Sequence, residues 1–216
     1  MKSQRLLAIA SFIEKKDKLI DIGCDHGYLG IYLKETKNID TILLTDIKQS
    51  ALDNAISNIK NHNLDIPTLK TNGLNNINLN NYNTISISGM GYLTIKKILS
   101  NLKDNNTITK IIIQSNNNLS QLRMFMFNLG FYLDDEITIF EKNIFYVIGC
   151  FKKGQKKLTN KEILFGIDKK DKKTYYKYLL TKKEDILKKI PINNKQTRTK
   201  LEKEITLLQE LLKESR

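Results

Sequence analysis

Short strand-like runs alternate with segments of helical periodicity over the first 151 residues, and this alternation restricts the fold more than any other feature. Five apolar runs predict strands, and five segments with apolar residues every three or four positions predict helices before, between and after them. The predicted strands are 18–23, 41–46, 66–71, 82–88 and 109–114, and the predicted helices are 3–15, 28–35, 49–61, 92–101 and 119–129. Such alternation is typical of right-handed crossovers and a parallel sheet that is covered on both faces. The sequence therefore predicts a doubly wound α/β domain.

Two further strand-like runs, 132–140 and 143–151, are separated only by Glu141 and Lys142, which predicts a β-hairpin. The hairpin brings the predicted sheet to seven strands and adds an antiparallel strand to an otherwise parallel set. Near the start of the chain, Ser3 begins the first helical segment and is the candidate for its N-cap.

The C-terminal region has a different pattern. Residues 152–160 are polar and lysine-rich and predict a linker, and residues 172–190 and 195–215 predict two helices joined by a turn that contains Pro191. The apolar stripes of these helices consist of Tyr175, Leu179, Ile186 and Ile190 on the first and of Leu201, Ile205, Leu208 and Leu212 on the second. Two such stripes predict an antiparallel, coiled-coil-like helical hairpin. We therefore predict two domains, 1–154 and 155–216.

Basic residues are concentrated in the same C-terminal region. Residues 152–216 hold 20 Lys or Arg against 9 Asp or Glu, whereas residues 1–151 hold 16 against 14. A basic surface attracts a polyanion because its cations displace the counterions of phosphates. A coding bias towards lysine would explain the number of lysines but not their segregation, so nucleic-acid binding is the favoured interpretation.

The sequence lacks the features of a membrane protein, a secreted protein and a metal-binding protein. No apolar run approaches the roughly 18 residues that a membrane-spanning helix needs, and the N-terminal segment is too short and too polar for a secretory signal. Cys24 and Cys150 lie far apart and lack the spacing of metal ligands. We expect a cytoplasmic, monomeric protein with reduced thiols, no metal and no membrane partner.

The segment Asp21-Ile-Gly-Cys-Asp-His-Gly27 joins the first predicted strand to the helix that follows. Its glycines allow a tight turn and a close approach of backbone to ligand at the edge where open α/β sheets bind ligands. Asp46 ends the second predicted strand about 20 residues further on, where a ribose diol would lie. The glycine spacing is not the G-x-G-x-x-G of dinucleotide enzymes and is similar to the S-adenosylmethionine loop of Rossmann-like methyltransferases. A tight turn without a ligand is the structural alternative.

Polar or glycine-rich clusters follow the later predicted strands as well. They are Asn72-Gly73, Ser88-Gly-Met-Gly-Tyr92 and Gln114-Ser-Asn116. Each cluster alone is explained by an ordinary turn or by capping of a strand end. Because the carboxyl ends of parallel strands meet at one edge, their succession predicts a single binding crevice.

Taken in order, the segment from Asp21 to Leu29, the Ser88-Gly-Met-Gly91 cluster, Gln114-Ser-Asn116 and the basic helical tail resemble the bacterial tRNA (adenine-22-N1)-methyltransferase family. The resemblance implies a Rossmann-like class I methyltransferase domain that binds S-adenosylmethionine and a C-terminal coiled-coil hairpin that helps to hold tRNA. It implies methylation of adenine N1. Asn72, Tyr92 and Ser115 depart from the family pattern, which usually has Asp, Gly and Pro there.

The resemblance also implies roles for individual residues. The cofactor-binding candidates are Asp21, Gly23, Cys24, Gly27, Asp46, Ile47, Asn72, Gly73, Ser88 and Gly89. The catalytic candidates at the target base are Asp25, His26, Met90, Gln114 and Asn116. The substrate-binding candidates are Tyr28 and Tyr92 for base stacking and Lys172, Lys173, Lys182 and Lys183 for phosphates. For His26 and the two tyrosines, structural packing is the alternative.

Three other classes of function stay open on the sequence. A methyltransferase for another RNA position, a protein or a small molecule would share the cofactor loops. A non-catalytic RNA-binding protein would share the scaffold and the basic tail but would leave the crevice without a cofactor. A nicotinamide enzyme is weaker because its glycine turn is absent.

Overall fold

The computed structural model describes residues 3–102, 105–167 and 172–214, and the chain divides into two compact units. The first unit spans 1–157 and the second spans 158–216. No helix in the described part of the chain is long and apolar enough to cross a membrane.

The first unit contains a seven-stranded sheet of order β3-β2-β1-β4-β5-β7-β6. Its strands are β1 Leu19–Ile22, β2 Ile42–Asp46, β3 Thr68–Lys70, β4 Thr84–Met90, β5 Lys110–Ser115, β6 Phe131–Glu141 and β7 Ile144–Lys153. Its helices are α1 Gln4–Ser11, α2 Tyr28–Lys37, α3 Gln49–Asn61, α4 Tyr92–Leu99 and α5 Leu119–Asn128. Strands β1 to β5 pair in parallel, and β7 pairs antiparallel with both β5 and β6. The predicted fold class is confirmed.

Continuous apolar runs place the central strands in the core. All four residues of β1 and the three isoleucines from Ile111 to Ile113 are buried, as expected of strands covered on both faces. A buried ion pair joins α5 to β6: Arg123 and Glu136 are each 2% exposed, and Arg123 Nη2 lies 2.7 Å from Glu136 Oε2. The β6–β7 turn is Lys142-Asn143, one residue later than expected, and both residues have positive φ. That conformation matches the twist of a tight hairpin.

Helix α1 is shorter than predicted, and Ser3 does not cap it. The Ser3 hydroxyl donates instead to Glu141 Oε2 at 2.8 Å, 138 residues further along the chain. At the other end, Lys37 Nζ donates to the carbonyls of Ala10 and Ile13, both at 2.6 Å. These two carbonyls lie at the C-terminal end of α1 and just beyond it, so contacts distant in sequence hold both ends of the helix.

The second unit contains α6 Asn160–Phe165, α7 Lys173–Lys189 and α8 Lys195–Glu214. Lys183 pairs with Glu204 at 2.6 Å, and Arg198 Nη1 donates to the Leu187 carbonyl at 3.0 Å, so α7 and α8 run antiparallel as predicted. The predicted end of the second helix, Ser215, lies outside the described residues.

The packing of the second unit departs from the prediction in two details. Ile186, predicted in the apolar stripe, is 45% exposed, and the described part of α8 buries Ile205, Leu208 and Leu211 rather than Leu212. Helix α6 was not predicted. It begins with a capping box in which Thr159 and Glu162 bind each other's backbone N–H groups, a pattern readable from the sequence.

Candidate active site

A cavity of about 450 Å³ opens at the carboxyl edge of the sheet, beyond β1, β2 and β4. The predicted site residues that line it are Asp21, Gly23, Cys24, Asp25, His26, Tyr28, Asp46, Ser88, Gly89 and Met90. The remaining lining residues, none of which was predicted, are Ser3, Arg5, Leu6, Ile9, Leu29, Lys48 and Ala51. The volume lies in the range of small-molecule sites.

The loop after β1 is folded so that its backbone forms the floor of the cavity. The N–H groups of Gly23 and Cys24 both donate to the Thr45 carbonyl, at 2.8 and 3.0 Å, which ties the loop to β2. Gly23 has φ +75°, and a Cβ at this position would lie 2.3 Å from Met90 Cε. Glycine is therefore required both by the left-handed backbone and by the close approach of Met90. Burial raises the pKa of the Cys24 thiol, so this cysteine stays protonated.

Asp21 places a nearly buried carboxyl group, 5% exposed, at the inner end of the cavity. Burial raises its pKa to about 7, and the negative charge of Asp46 adds to the shift. The Ser86 hydroxyl opposes the shift, although it makes no hydrogen bond of ordinary geometry. A cation that entered the cavity would favour the ionised form of Asp21, so this end of the site suits an ammonium group.

Asp46 orders the neighbouring loop and remains accessible. Its Oδ1 accepts a hydrogen bond from the Lys48 backbone at 2.9 Å, and its Oδ2 accepts one from the Asp25 backbone at 3.3 Å. The carboxylate is half-buried, so it retains lone pairs for the hydroxyls of a ligand.

Asp25, His26 and Tyr28 form the exposed rim of the cavity. Asp25 adopts φ +49°, a strained conformation for a residue with a side chain. The ring of His26 stacks on that of Tyr28, with centroids 5.5 Å apart, and His26 Nε2 lies 3.6 Å from Asp25 Oδ2. The His26 carbonyl accepts from Asn58 Nδ2 at 3.0 Å, which anchors the rim to α3. The rim thus offers a flat aromatic surface beside a carboxylate.

The role implied for Gln114 is corrected by the structure. Gln114 is 1% exposed and does not line the cavity. Its Oε1 accepts from the Gly89 N–H at 3.0 Å, and its Nε2 donates to Asn116 Oδ1 at 3.0 Å. Asn116 is exposed and donates from Nδ2 to the Gly89 carbonyl at 2.7 Å. Gln114 is therefore placed to clamp the end of β4 at Gly89, where the pairing register with β5 shifts, and only Asn116 of the pair is open to a substrate.

Five other predicted residues are not among the residues that line the cavity: Gly27, Ile47, Asn72, Gly73 and Tyr92. Gly27 is the N-cap residue of α2, and Ile47, 58% exposed, adjoins Asp46. Asn72 is exposed after β3, and Gly73 is buried against Ile98. The Tyr92 ring contacts Phe125 edge-on, which supports the packing alternative for this tyrosine.

The four predicted phosphate-binding lysines belong to the second unit and differ in exposure. Lys172 is 1% exposed. Its amine is therefore not accessible to a phosphate, and this prediction is corrected. Lys183 is paired with Glu204, Lys173 is half-buried, and Lys182 is exposed. A separate row of lysines, Lys195, Lys200 and Lys203, lines a shallow depression on α8 and was missed. The spacing of these three lysines along one predicted helix was the sequence signal that could have identified them.

The residues contributed by α1 were missed for another reason. The helical periodicity of residues 3–15 predicts a helix, but it does not say which part of that helix meets the cavity. That placement depends on β6 and β7, against which α1 packs. Arg5 is the arginine and Lys48 the lysine among the lining residues.

Comparisons with known proteins agree with this geometry. Residues 2–148 match the family described as "Methyltransferase domain". A Mycoplasma genitalium protein, provisionally named a tRNA methyltransferase, is 33% identical over 184 residues, which cover 81% of this chain and 83% of that protein. The tRNA (adenine(22)-N(1))-methyltransferase of Bacillus subtilis is 27% identical over 149 residues, covering 68% of this chain and 63% of that enzyme.

A solved structure extends the similarity to the whole chain. The M. capricolum TrmK, determined with the cofactor product S-adenosyl-homocysteine, is 28% identical, covers all of both chains and superposes with a TM-score of 0.86. The family resemblance read from the sequence motifs is thereby confirmed. The chain belongs to the methyltransferase-domain family and, within it, to the TrmK family of bacterial tRNA (adenine-22-N1)-methyltransferases.

Proposed function

We propose that the protein transfers the methyl group of S-adenosylmethionine to N1 of adenine 22 in tRNA. The observation that carries this proposal is the cavity at the carboxyl edge of the sheet, where Asp21 and Asp46 lie at the ends of adjacent parallel strands above a glycine turn. The cofactor and the target atom are those of the relatives that share the chain's motifs.

The residues present fit S-adenosylmethionine. Asp46 offers free lone pairs to a ribose diol, and Asp21 offers a buried carboxyl to the ammonium of the amino-acid tail. Gly23 leaves room above the backbone, so a ligand can lie directly against the loop. When bound, the cofactor supplies an electrophilic methyl group on a sulfonium.

The protein's own task is to position the base, because adenine N1 already carries a lone pair and needs no strong base. Ser88, Gly89 and Met90, at the end of β4, border the cavity. The exposed Asn116 donates to the Gly89 carbonyl beside them. We assign to Asn116 and Asp25 the stabilisation of the positive charge that the methylated ring acquires. His26 and Tyr28 are the stacking surface for a nucleotide extruded from the folded RNA. Holding adenine N1 about 3–3.5 Å from the methyl carbon accounts for much of the rate enhancement in such a reaction.

The second unit is the proposed tRNA-binding element. Residues 158–216 hold 16 Lys or Arg against 9 Asp or Glu, and Lys182, Lys195, Lys200 and Lys203 are exposed. Contacts of lysines with phosphates recognise the shape of an RNA rather than its sequence. We further propose that the enzyme acts as a monomer in the cytoplasm.

The test is incubation of the full-length protein with unmodified tRNA and isotopically labelled S-adenosylmethionine, followed by digestion and mass spectrometry. We expect one labelled 1-methyladenosine at position 22. Label in a protein extract but not in tRNA would instead identify a protein methyltransferase, and tRNA binding without label would identify a non-catalytic RNA-binding protein.

A second experiment tests the tRNA-binding element. Replacement of Lys195, Lys200 and Lys203 by Ala should weaken tRNA binding and make it less dependent on salt. In a plot of the logarithm of the binding constant against the logarithm of the salt concentration, the slope should become shallower by about 0.7–0.9 for each phosphate that the protein no longer neutralises. Lys60→Ala, an exposed lysine of the first unit, is the control. An unchanged salt dependence in the triple variant would remove these lysines from the interface.

A further inference from the structure

A second cavity, of about 410 Å³, opens beside the active-site cavity. The two cavities share Ser3 and Leu6, at the start of α1, and Tyr28, at the start of α2. The volume of the second cavity also lies in the range of small-molecule sites. An RNA that places its target base on Tyr28 therefore borders the second cavity as well.

One face of α2 forms most of the second cavity. Ile31, Tyr32 and Glu35 follow Tyr28 by three, four and seven positions, so a single stripe of the helix presents all four side chains. Ile31 is buried and forms part of the floor, whereas Tyr32 is half-buried. The stripe runs for about 10 Å along the helix axis, from an aromatic end at the active site to a carboxylate.

A hydrogen-bonded pair forms the polar end of the second cavity. His62 is the C-cap residue of α3, and its Nδ1 lies 2.6 Å from Glu35 Oε1. An ionised carboxylate only accepts hydrogen bonds, so Nδ1 donates, and Nε2 on the other side of the ring carries a lone pair. The His62 side chain is 43% exposed, so a ligand can reach it. This end of the cavity therefore offers an oriented acceptor to an N–H group.

Aromatic walls with a polar end are suited to a nucleobase. Tyrosine stacks on the flat face of any base, and the neighbours of an extruded nucleotide lose part of their stacking in the RNA. An N–H group on the edge of such a base then meets the His62 ring. Because these neighbours are covalently joined to the target nucleotide, they lie within reach of a cavity that shares Tyr28 with the active site.

We propose that the second cavity binds the base of a nucleotide next to adenine 22, stacked on Tyr32 with its edge at His62. This inference rests on the proposed function, because the ligand is part of the same tRNA. It gives the first unit its own contact with the unstacked RNA strand, in addition to the phosphate contacts proposed for the second unit.

The test measures binding of the full-length protein to intact tRNA and to two tRNAs that lack one base each, the base before or after adenine 22. Tyr32→Leu should weaken binding of the intact tRNA about 5- to 100-fold, the range for stacking of one base on an aromatic ring. The variant should have no further effect on one of the two abasic tRNAs, in which the stacked base is already missing. Tyr32→Phe, which keeps the ring, should recover most of the loss.

Two further measurements separate this contact from other causes of weak binding. The salt dependence of tRNA binding should be the same in Tyr32→Leu and in the wild type, because no phosphate contact is lost. The affinity for S-adenosylhomocysteine should also be unchanged, because Tyr32 is not among the residues that line the active-site cavity.

His62 is tested with the same three tRNAs. His62→Ala should weaken binding of the intact tRNA about 2- to 10-fold, as expected for one hydrogen bond, and the abasic tRNA that is insensitive to Tyr32→Leu should be insensitive to this change too. Tyr132→Leu is the matched control. Tyr132 is half-buried on β6 and pairs with Lys152 near the start of β5, at the edge of the sheet opposite to the cavities, so its replacement should leave tRNA binding unchanged.

Equal weakening of all three tRNAs by Tyr32→Leu, or no weakening of any, would overturn the proposal. A parallel loss of affinity for S-adenosylhomocysteine would also overturn it and would give Tyr32 a structural role. If the wild-type protein leaves tRNA unlabelled in the presence of labelled S-adenosylmethionine, the proposed function itself fails. A tRNA that is methylated but shows no coupling between Tyr32 and a neighbouring base refutes this inference alone.

Discussion

Replacement of Gln114 by Leu distinguishes a clamp for the end of β4 at Gly89 from a direct contact with the target base. The variant removes the hydrogen bond that Gln114 accepts from Gly89 and the one that it donates to Asn116, both 3.0 Å long. Leucine has a similar volume, so the buried position is refilled without a large cavity. The removal of these two hydrogen bonds is therefore the main change.

Each of these hydrogen bonds contributes about 0.5–1.5 kcal/mol, so we expect the free energy of unfolding to fall by about 1–3 kcal/mol. In a protein of this size, a loss of about 2 kcal/mol lowers Tm by about 4–8 °C. Because Gly89 borders the cavity, a loosened end of β4 misplaces the reacting groups, and kcat for tRNA methylation should fall about 10- to 100-fold. Calorimetric melting and single-turnover kinetics measure the two effects.

The control is Gln121→Leu, an exposed glutamine on α5, which should change the free energy of unfolding by no more than about 0.5 kcal/mol. Loss of kcat without any change in Tm would refute the clamp and restore Gln114 as a base contact. A lowered Tm with full kcat would show that the end of β4 does not position the reacting groups.

Other contacts of the first unit lead to predictions that urea unfolding checks. Since the pKa of Asp21, about 7, is above its ordinary value, its contribution to stability is full below pH 4 and lost as the pH rises through 7. Asp21→Asn should abolish this decline in the free energy of unfolding, which amounts to up to about 4 kcal/mol. If the variant shows the same pH dependence of stability as the wild type, the decline does not come from Asp21. Gly23→Ala and Gly89→Ala should each lower the free energy of unfolding by about 1–2 kcal/mol, because both positions have a positive φ. Gly23→Ala should lower it further, because the added Cβ meets Met90. Equal losses in the two variants would show that the contact with Met90 costs nothing. Arg123→Met should lower the free energy of unfolding by about 3–5 kcal/mol, because it removes the cation that faces the buried Glu136 carboxylate. An additional Glu136→Leu should recover most of this loss, and no recovery would argue against the ion pair.

The parallel sheet and the cofactor loop could be predicted because their signals are local. Buried strands such as β1 and β5 are continuous apolar runs, and Asp21 and Asp46 stand at strand ends whose common edge follows from topology alone. The family's motifs lie in the same loops, so residues from those loops make up most of the predicted lining.

What the sequence could not provide depends on pairings between distant segments. Gln114 was expected to face the base, because a strand-end position does not say whether a polar side chain points to a ligand or to a neighbouring backbone. Lys172 was expected on the surface because its burial depends on tertiary packing. Arg5 was missed because α1 packs not only against α2 but also against β6 and β7, which begin more than 120 residues after Arg5.

The insertion of β7 between β5 and β6 has a consequence for synthesis of the protein on the ribosome. Helix α1 is among the first parts of the chain to emerge, but Glu141, its anchoring carboxylate, is made 138 residues after Ser3. A nascent chain that stops at β5 has the glycine loop and both aspartates but lacks the strands that dock its first helix. Contacts at such sequence separation form slowly, so the cofactor site becomes complete only when translation has passed the β6–β7 hairpin.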